Sequence, residues 1–392
     1  MFILPFFCMK KSILILVFSD LTRDARVSRQ ISFLQKEFEL TVAALQAPPQ
    51  TPYRFVKLPK PNLTLFVKSK IAFYTLTGQY KKALYLLHGS NILTEVATKP
   101  FDLIIANDIE TLPFAFLNKH AKVFFDAHEY APRQFEDRLY WRIFFKRFVV
   151  WMCKKYIHKV DGMSTVGKGL ANEYLKNFGV DPLVITNAPA LQQLTVKRVS
   201  GNTFKMVHHG IFNISRQPEL MLDVMDLLDD RFTLDLFFVL PPSASKKTER
   251  FFKAFKERAA TDKRVRVLPA IATSEIVSTL HAQYDLGLIL IPPINFNYEN
   301  GMPNKLFDFI QARLGLVLGP LKEMSLICTE YKLGVVSDSF TAQSVAEKLN
   351  ALKINDVNQF KLNADAASEI LCAEKNEQLF TERVKSILSS RV

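Results

Sequence analysis

Gly301-Met302-Pro303-Asn304-Lys305-Leu306-Phe307-Asp308 is the segment that decides the fold, together with the apolar run DLGLILI at residues 285–291 that precedes it. The run is typical of a strand buried on both faces, and Pro303 suits the first position of a following helix. Unpaired amides in a first helical turn attract an anion, and Lys305 adds a cation. Asp308 follows one turn later and could accept hydrogen bonds from sugar hydroxyls. The segment predicts either a site for a phosphate beside a ribose or an ordinary capped helix.

Alternating strand and helix patterns extend from this segment in both directions. Upstream, apolar runs at residues 204–209, 233–240 and 265–268 are separated by stretches with helical periodicity. The first half of the chain has the same order and begins with the apolar run SILILVF at residues 12–18. Repeated β-α-β order predicts an α/β protein with two doubly wound parallel sheets. Ligands of such sheets bind outside the carboxyl ends of the strands.

The domain organisation follows from where this pattern lapses, near residues 188–201. We expect an N-terminal domain at residues 1–190 and a C-terminal domain at residues 191–372, with a last helix at about 373–392. Residues 109–118 are expected to form a helix between two strands of the first domain.

Composition narrows the possible partners. The chain has 392 residues, 48% hydrophobic content, 23% charged content and a formal net charge of +13. This charge favours an anionic partner: a nucleotide diphosphate, an anionic lipid or nucleic acid. Nucleic acid ranks last, because the chain has no recognition module and no basic tail.

The cysteines and histidines indicate neither a disulfide framework nor a metal site. Four cysteines lie far apart, without C-x-x-C spacing, and no H-E-x-x-H pattern occurs. We therefore expect no metal and a reducing, cytoplasmic setting. The cysteines are Cys8, Cys153, Cys328 and Cys372.

The N-terminus does not read as a targeting signal. The segment Met1–Cys8 is apolar but lacks a basic region and a small-residue cleavage site, and Met9 is an alternative start. No apolar run reaches the roughly 18–20 residues that span a bilayer.

The segment Arg138–Lys159 (RLYWRIFFKRFVVWMCKKYIHK) interleaves basic and aromatic residues and contains both tryptophans. Its periodicity predicts one helix, with Arg138, Arg142 and Lys146 along one side. Such a helix can lie at the surface of an anionic membrane. It can equally be a core helix with a basic outer face.

Polar residues at the expected strand ends are the remaining site candidates. His128 follows the predicted strand 123–126, and Asp108 follows the strand before it. Gly210 ends the first strand of the second half and would let a ligand approach the backbone, while Arg216 could pair with a diphosphate. No G-x-G-x-x-G follows the first strand, and neither a P-loop nor a G-x-S-x-G motif occurs. These absences argue against an NAD-binding domain, a P-loop protein and a serine hydrolase.

Taken together, these motifs resemble the retaining nucleotide-sugar glycosyltransferases built from two facing Rossmann-like domains, the GT-B architecture, and specifically family four of that class. The resemblance covers nearly the whole chain and rests on the order and spacing of short motifs. They are Asp126–Glu129, Ser164–Val166 with Leu170, Asn187–Pro189, His209-Gly210 with Arg216, and Asp285–Leu288 followed by Pro303–Asp308.

The resemblance implies roles for particular residues. The family carries two glutamates eight positions apart; Asp308 stands at the second, Asn300 at the first, and Glu299 is adjacent. Arg216 matches one member of a basic pair, and Lys305 could supply the other charge. The implied donor-binding residues are Gly210, Arg216, Gly301, Asn304, Lys305 and Asp308. The implied catalytic residues are His128, Glu299 and Asn300, and those of the acceptor side are Asp20, Arg23 and Asp108.

The function implied is transfer of a sugar from a nucleotide-diphosphate sugar to a glycan or lipid-linked acceptor, in cell-surface polysaccharide biosynthesis. The family implies retention of configuration without a metal or other cofactor, and a last helix that crosses back to the first domain. The implied location is the cytoplasm, at the inner face of the membrane if Arg138–Lys159 binds there. Two alternatives stay open: a non-catalytic protein that binds nucleotide sugar, and a nucleotide-sugar epimerase on the same fold.

Overall fold

The computed structural model describes residues 10–241 and 244–390, so the expectations for Met1–Met9, including Cys8 and the choice of start, lie outside the described residues. The chain divides into two compact units. The first runs to Ile185 and resumes at Glu377, and the second runs from Thr186 to Asn376. The sequence analysis predicted the first boundary after residue 190 and the second before residue 373.

The described part of the first unit contains a seven-stranded parallel sheet with strand order β3-β2-β1-β4-β5-β6-β7. Strand β1, which lies between β2 and β4, is buried from Ile13 to Leu16, as expected for a strand with helices on both faces. The strands are β1 (Ser12–Leu16), β2 (Glu39–Ala44), β3 (Arg54–Lys57), β4 (Leu103–Asn107), β5 (Lys122–Ala127), β6 (Gly162–Thr165) and β7 (Leu183–Val184). The helices are α1 (Ala25–Leu34), α2 (Leu65–Leu76), α3 (Tyr80–His88), α4 (Asn91–Thr98), α5 (Leu112–Ala115), α6 (Leu139–Phe144), α7 (Lys146–Tyr156) and α8 (Lys168–Phe178).

The second unit contains, among its described residues, a six-stranded parallel sheet with strand order β10-β9-β8-β11-β12-β13. Its strands are β8 (Phe204–Ile211), β9 (Phe232–Val239), β10 (Val265–Leu268), β11 (Leu286–Ile289), β12 (Gly315–Leu318) and β13 (Gly334–Val336). Its helices are α9 (Glu219–Met225), α10 (Lys246–Ala259), α11 (Ile276–Gln283), α12 (Phe296–Glu299), α13 (Asn304–Gln311), α14 (Lys322–Glu330), α15 (Ala342–Asn350) and α16 (Ile354–Ser368), and α17 (Ala373–Ser389) begins in this unit.

Alternating side chains of the second sheet enter two apolar clusters, one on each face. Met206 and Leu288 belong to one cluster, while their neighbours Val207 and Ile289 belong to the other. Helix α13 buries Leu306, Phe307, Phe309 and Ile310 completely in the second cluster. This packing fixes the start of α13 beside the carboxyl ends of β8 and β11.

Gly287 in β11 allows α13 to approach the sheet closely. A Cβ atom at this position would lie 2.2 Å from the Phe309 ring. We expect Gly287→Ala to destabilise the second unit by about 1–3 kcal/mol through overpacking. Hydrogen exchange in β11 and α13, followed by mass spectrometry, measures this. The double variant with Phe309→Leu should lose less stability than the two single variants together, and full additivity would contradict the steric cause.

The helix expected at residues 109–118 is reduced to α5, and that prediction was wrong in length. Pro113 lies in the first turn of α5. In a helix beginning at Ile109, the Pro113 ring would clash with the Ile109 carbonyl and remove its hydrogen bond. The chain before Leu112 therefore forms a turn.

The single helix expected at residues 138–159 is also wrong. Helix α6 ends at Phe144, α7 begins at Lys146, and Arg138 precedes α6 with extended backbone. The break falls at the aromatic pair Phe144–Phe145, whose helix propensity is low. The three cations expected along one side thus lie on separate elements.

Helix α17 belongs to the first unit from Glu377 onward. Phe380 is 1% exposed and packs against the rings of Phe33 and Phe124, at centroid distances of 6.4 and 5.3 Å. Lys122 Nζ donates to the carbonyl of Ile387 at 2.7 Å. Among the described residues, no helix has the length and apolarity that a bilayer crossing requires.

Candidate functional site

The edge formed by the carboxyl ends of β8 and β11 is the first candidate site, and α13 begins beside it. Pro303 is the residue before α13 rather than its first residue, because its ψ of 150° is extended. The sequence expectation was wrong by one position. No side chain caps α13. Its first-turn amides therefore remain suited to an anion.

Lys305 lies in the first turn of α13 and is buried, with 5% exposure. Its Nζ lies 2.9 Å from Nε2 of His208, whose Nδ1 lies 2.8 Å from the carbonyl of Leu288. Because a carbonyl only accepts, Nδ1 carries the imidazole proton and Nε2 accepts from Lys305. Burial and the nearby Arg216 guanidinium hold the pKa of Lys305 well below its ordinary value. Burial and Lys305 likewise lower the pKa of His208.

Gly210 and Arg216 complete the cationic side of this edge. Gly210 has φ of 137°, and a Cβ there would lie 3.1 Å from Lys305 Nζ. The glycine therefore keeps space open beside the amine. Arg216 ends a short 3-10 helix, Ile214–Arg216, and its guanidinium carbon lies 5.6 Å from the Tyr298 ring. Its Nε is buried and donates to no acceptor among the described residues.

Asp308 supplies the carboxylate of the site. Its Oδ2 lies 3.5 Å from Nε2 of His209, and its side chain is 14% exposed. Burial and the charge of Lys305 lower the pKa of His209 to about 3, so this imidazole is neutral at physiological pH. The Asp308 charge raises the pKa of Lys305, against burial and Arg216.

The residues just before α13 differ in how far they are available to a ligand. Asn300 is 5% exposed, and its amide donates to the carbonyl of Phe296 at 3.0 Å, within its own turn. Glu299 and Asn304 are exposed. Gly301 is tightly placed, since a Cβ would lie 2.8 Å from the carbonyl oxygen of Asn297.

A second polar cluster lies at the carboxyl ends of β4, β5 and β6 in the first unit. Asp126 is 2% exposed and forms an ion pair with Arg26, whose Nε donates to it at 2.9 Å. Gln30 donates to the same carboxylate at 3.1 Å and Ser164 at 2.7 Å. Burial alone would raise the pKa of Asp126, but Arg26 and His128 outweigh it and hold that pKa well below its usual range.

His128 lies between two carboxylates. Its Nδ1 is 3.5 Å from Asp108, and its Nε2 is 3.6 Å from Asp126. Burial lowers the pKa of His128, but the two carboxylates outweigh it, so the net shift is upward. Asp108 has φ of 64°, in the left-handed region, and its amide donates to the carbonyl of Asp126 at 3.0 Å. The structure thus brings the predicted residues His128 and Asp108 together.

Two glutamates beside this cluster were not predicted as site residues. Glu110 and Glu129 line a small cavity with Asp108 and Gln134. Burial and the Asp108 charge raise the pKa of each glutamate to about 7. Glu129 stands in the quoted Asp126–Glu129 motif, whereas Glu110 lies in the segment expected to be a helix.

Asp20 and Arg23 lie in the loop after β1. The Asp20 carboxylate accepts from the Thr22 amide at 3.0 Å and from the Thr22 hydroxyl at 2.7 Å, which lowers its pKa. Arg23 is exposed. The Asp20 carboxylate therefore shapes its own loop, and the structure shows no contact from it to His128 among the described residues.

The chain is similar in fold to several solved structures. Sucrose-phosphate synthase from Thermosynechococcus elongatus gives a TM-score of 0.69 at 11% identity, covering 97% of this chain and 100% of that one. HepE from Anabaena in complex with UDP-glucose gives 0.68 at 14% identity, covering 96% and 99%. An α,α-trehalose-phosphate synthase (UDP-forming) from Burkholderia vietnamiensis gives 0.65 at 11%, covering 96% and 100%. No family model matches the chain, and no curated protein matches its sequence.

These likenesses define the class of fold. Two parallel sheets flanked by helices, matched over nearly the full length of the chain, give this protein the GT-B fold. The fold class predicted from the sequence is confirmed. The activity is a separate question, because one fold hosts many functions.

Proposed function

We propose that the protein is a glycosyltransferase whose second unit binds a nucleotide-diphosphate sugar at the start of α13. The observation that carries the proposal is Lys305, a buried amine whose hydrogen-bond partner is an imidazole rather than a carboxylate. A buried cation without a carboxylate partner is costly for a protein, and such groups concentrate at functional sites. The uncapped start of α13 and the Arg216 guanidinium also favour a negatively charged ligand.

The proposed chemistry is electrostatic. Lys305, Arg216 and the first amides of α13 stabilise the departing nucleotide diphosphate, and Gly210 leaves room for it. The bond from the anomeric carbon to the diphosphate breaks with its electron pair on the phosphate oxygen. The acceptor oxygen bonds to that carbon, and its proton passes to the departing phosphate. We propose that the transfer retains the anomeric configuration and needs no metal. Activity that survives EDTA would support the absence of a metal requirement.

The acceptor is assigned to the first unit, where His128, Asp108 and Asp126 can bind hydroxyl groups. We propose a glycan or lipid-linked acceptor of cell-surface polysaccharide biosynthesis, with the protein at the cytoplasmic face of a membrane. The basic and aromatic residues 138–159 support peripheral contact with anionic lipid. The three buried free thiols among the described residues suit a reducing compartment.

One observation favours a second candidate, a non-catalytic protein that binds nucleotide sugar. Asn300 stands where the resemblance expects an acid, and its amide bonds within its own turn. A thermal-shift screen against UDP, GDP, ADP and CMP sugars, followed by assays of sugar release with and without acceptor lipids and glycans, separates the two. UDP-glucose comes first because HepE is known in complex with it. Stabilisation without any transfer or hydrolysis would favour the non-catalytic protein.

Asp308 is expected to hold the ribose of the donor. Asp308→Ala should weaken nucleotide-sugar binding by roughly 10- to 100-fold, the usual range for a hydrogen bond to a charged group. The melting temperature should hold, because the side chain lies at the edge of the core. Asp230→Ala, in the same unit, is the matched control. Unchanged affinity in a titration of Asp308→Ala would remove the assignment.

A further inference from the structure

The positive charge of the chain is concentrated in two segments. Residues 40–94 contain seven Lys and Arg and no Asp or Glu, and the same is true of residues 138–159. Together they hold 14 of the 51 Lys and Arg, which leaves 37 cations against 38 acids in the rest of the chain. Outside these two segments, positive and negative residues nearly balance. The two segments therefore account for the excess positive charge of the chain.

Helix α2, in the first of these segments, exposes large apolar side chains. Leu65 is 85% exposed and Phe66 is 66% exposed, while Phe73 and Leu76 are each 57% exposed. Such exposure is uncommon for neighbouring residues of one helix in a protein surrounded only by water. Lys70 lies 4.3 Å from the Phe66 ring, so basic and apolar groups are intermixed.

The two acid-free segments meet in the fold, because α2 packs against both α3 and α6. Helix α6 exposes 63% of Leu139, 56% of Tyr140 and 49% of Ile143. Lys81 and Lys82 of α3 and Arg142 of α6 are exposed beside them. Helices α2, α3 and α6 therefore form one basic, apolar surface, here called the α2–α6 face.

This face adjoins the polar cluster of the first unit. Tyr140 and Trp141 line a cavity of about 320 Å³ whose other walls include Glu110 and Gln134. Glu110 and Gln134 also line the small cavity beside Asp108. A molecule held at the α2–α6 face thus lies next to the site assigned to the acceptor.

We propose that the α2–α6 face docks on an anionic bilayer, with Leu65 and Phe66 of α2 entering the headgroup region. The biological role of this docking rests on the proposed function, because docking would bring the enzyme to an acceptor that is itself a membrane lipid. Cations and apolar side chains on one face match a surface that is anionic outside and apolar within. Nucleic acid would need the cations but not the exposed leucines and phenylalanines.

The test measures sedimentation of the full chain with vesicles of phosphatidylcholine, with or without phosphatidylglycerol. The wild type should bind the anionic vesicles, more weakly as salt rises. Leu65→Ser with Phe66→Ser should weaken binding at least about tenfold, as should Lys68→Glu with Lys70→Glu. The matched controls are Leu326→Ser, at an exposed leucine of the second unit, and Lys246→Glu with Lys247→Glu on α10.

Wild-type affinity in either α2 variant, or no binding of the wild type to anionic vesicles at low salt, would overturn the proposal. Equal loss in the controls would do the same, since it would show dependence on bulk charge or hydrophobicity. Binding of RNA that needs Lys68 and Lys70 but not Leu65 would replace the bilayer with nucleic acid. A parallel titration with nucleotide sugar separates this result from the proposed function, because the α2 variants should keep the affinity of the wild type for the donor.

Discussion

Lys305→Met is expected to bind nucleotide sugar roughly 10- to 100-fold more weakly than the wild type while losing little thermal stability. Methionine fills nearly the same volume but removes the amine that would contact the diphosphate. Charge-assisted hydrogen bonds of this kind contribute about 1.5–3 kcal/mol. Replacing a buried charged group with an apolar side chain is often neutral or stabilising. Calorimetric titration and differential scanning calorimetry measure the two effects.

Lys361 provides a matched control in the same unit. It is 2% exposed, and its Nζ contacts Asp285 Oδ1 at 3.1 Å and the carbonyl of Tyr284 at 3.2 Å. Lys361→Met would leave Asp285 without its cation and should cost about 3–5 kcal/mol of stability, with donor affinity preserved. If Lys305→Met and Lys361→Met lost equal stability, Lys305 would be a structural residue, and the proposal that it is kept for binding at the expense of stability would be wrong.

Donor binding should also depend on pH through Lys305. The pKa of its amine is low in the free protein, and a bound diphosphate would favour the protonated amine and raise that pKa. Binding then takes up protons, and affinity falls as pH rises from the free-state pKa to the bound-state pKa. Titrations in PIPES and Tris, two buffers without phosphate that differ in ionisation enthalpy, report the number of protons taken up. In Lys305→Met this uptake should disappear.

Arg26→Met is expected to destabilise the first unit by about 3–5 kcal/mol, because it leaves the Asp126 carboxylate buried without its cation. Gln30 and Ser164 would remain as neutral donors. Both tryptophans, Trp141 and Trp151, belong to this unit. Urea unfolding followed by tryptophan fluorescence therefore reports on the first unit alone.

The difference between wild type and Arg26→Met should shrink as pH falls. In the wild type the Asp126 pKa is depressed, so the stability it contributes is full above the unfolded pKa of about 4 and is lost as pH falls toward the folded pKa. Without Arg26, only His128 opposes burial, and we expect the pKa of Asp126 to rise above its usual range, so that protonation relieves the variant at mildly acidic pH. Arg23→Met, at an exposed arginine of the adjacent loop, should change little. A difference that stayed constant from pH 7 to pH 4.5 would contradict this account.

The parts of the fold that the sequence predicts are those with strong local signals. The buried run at residues 12–18 and the run before Gly301 are continuous and apolar, and both became strands. The breaks at Pro113 and at Phe145 were missed because periodicity averages over a window and does not register one local conflict. The short edge strand β3 was missed as well, since its burial pattern carries little apolar contrast.

The residues of the candidate sites also fall into two groups, those that the sequence predicted and those that it did not. Gly210, Lys305 and Asp308 stand in short motifs beside a predicted strand end, and sequence reasoning grouped them. Arg26 and Gln30 come from α1 and reach Asp126 across about 100 positions of chain. Arg26 and Gln30 are one helical turn apart, which indicates that they share a face of α1. The sequence does not give the strand order, and only that order shows that this face lies against Asp126.

The path of α17 has a consequence for synthesis. The chain leaves the ribosome from its N-terminus, yet the first unit is complete only when residues after Glu377 are available. Until then the apolar surface around Phe33 and Phe124 lacks the Phe380 ring that covers it. The unit that is translated first is therefore completed only after the second unit has been translated, and its nascent form presents a surface on which a chaperone could act until α17 is available.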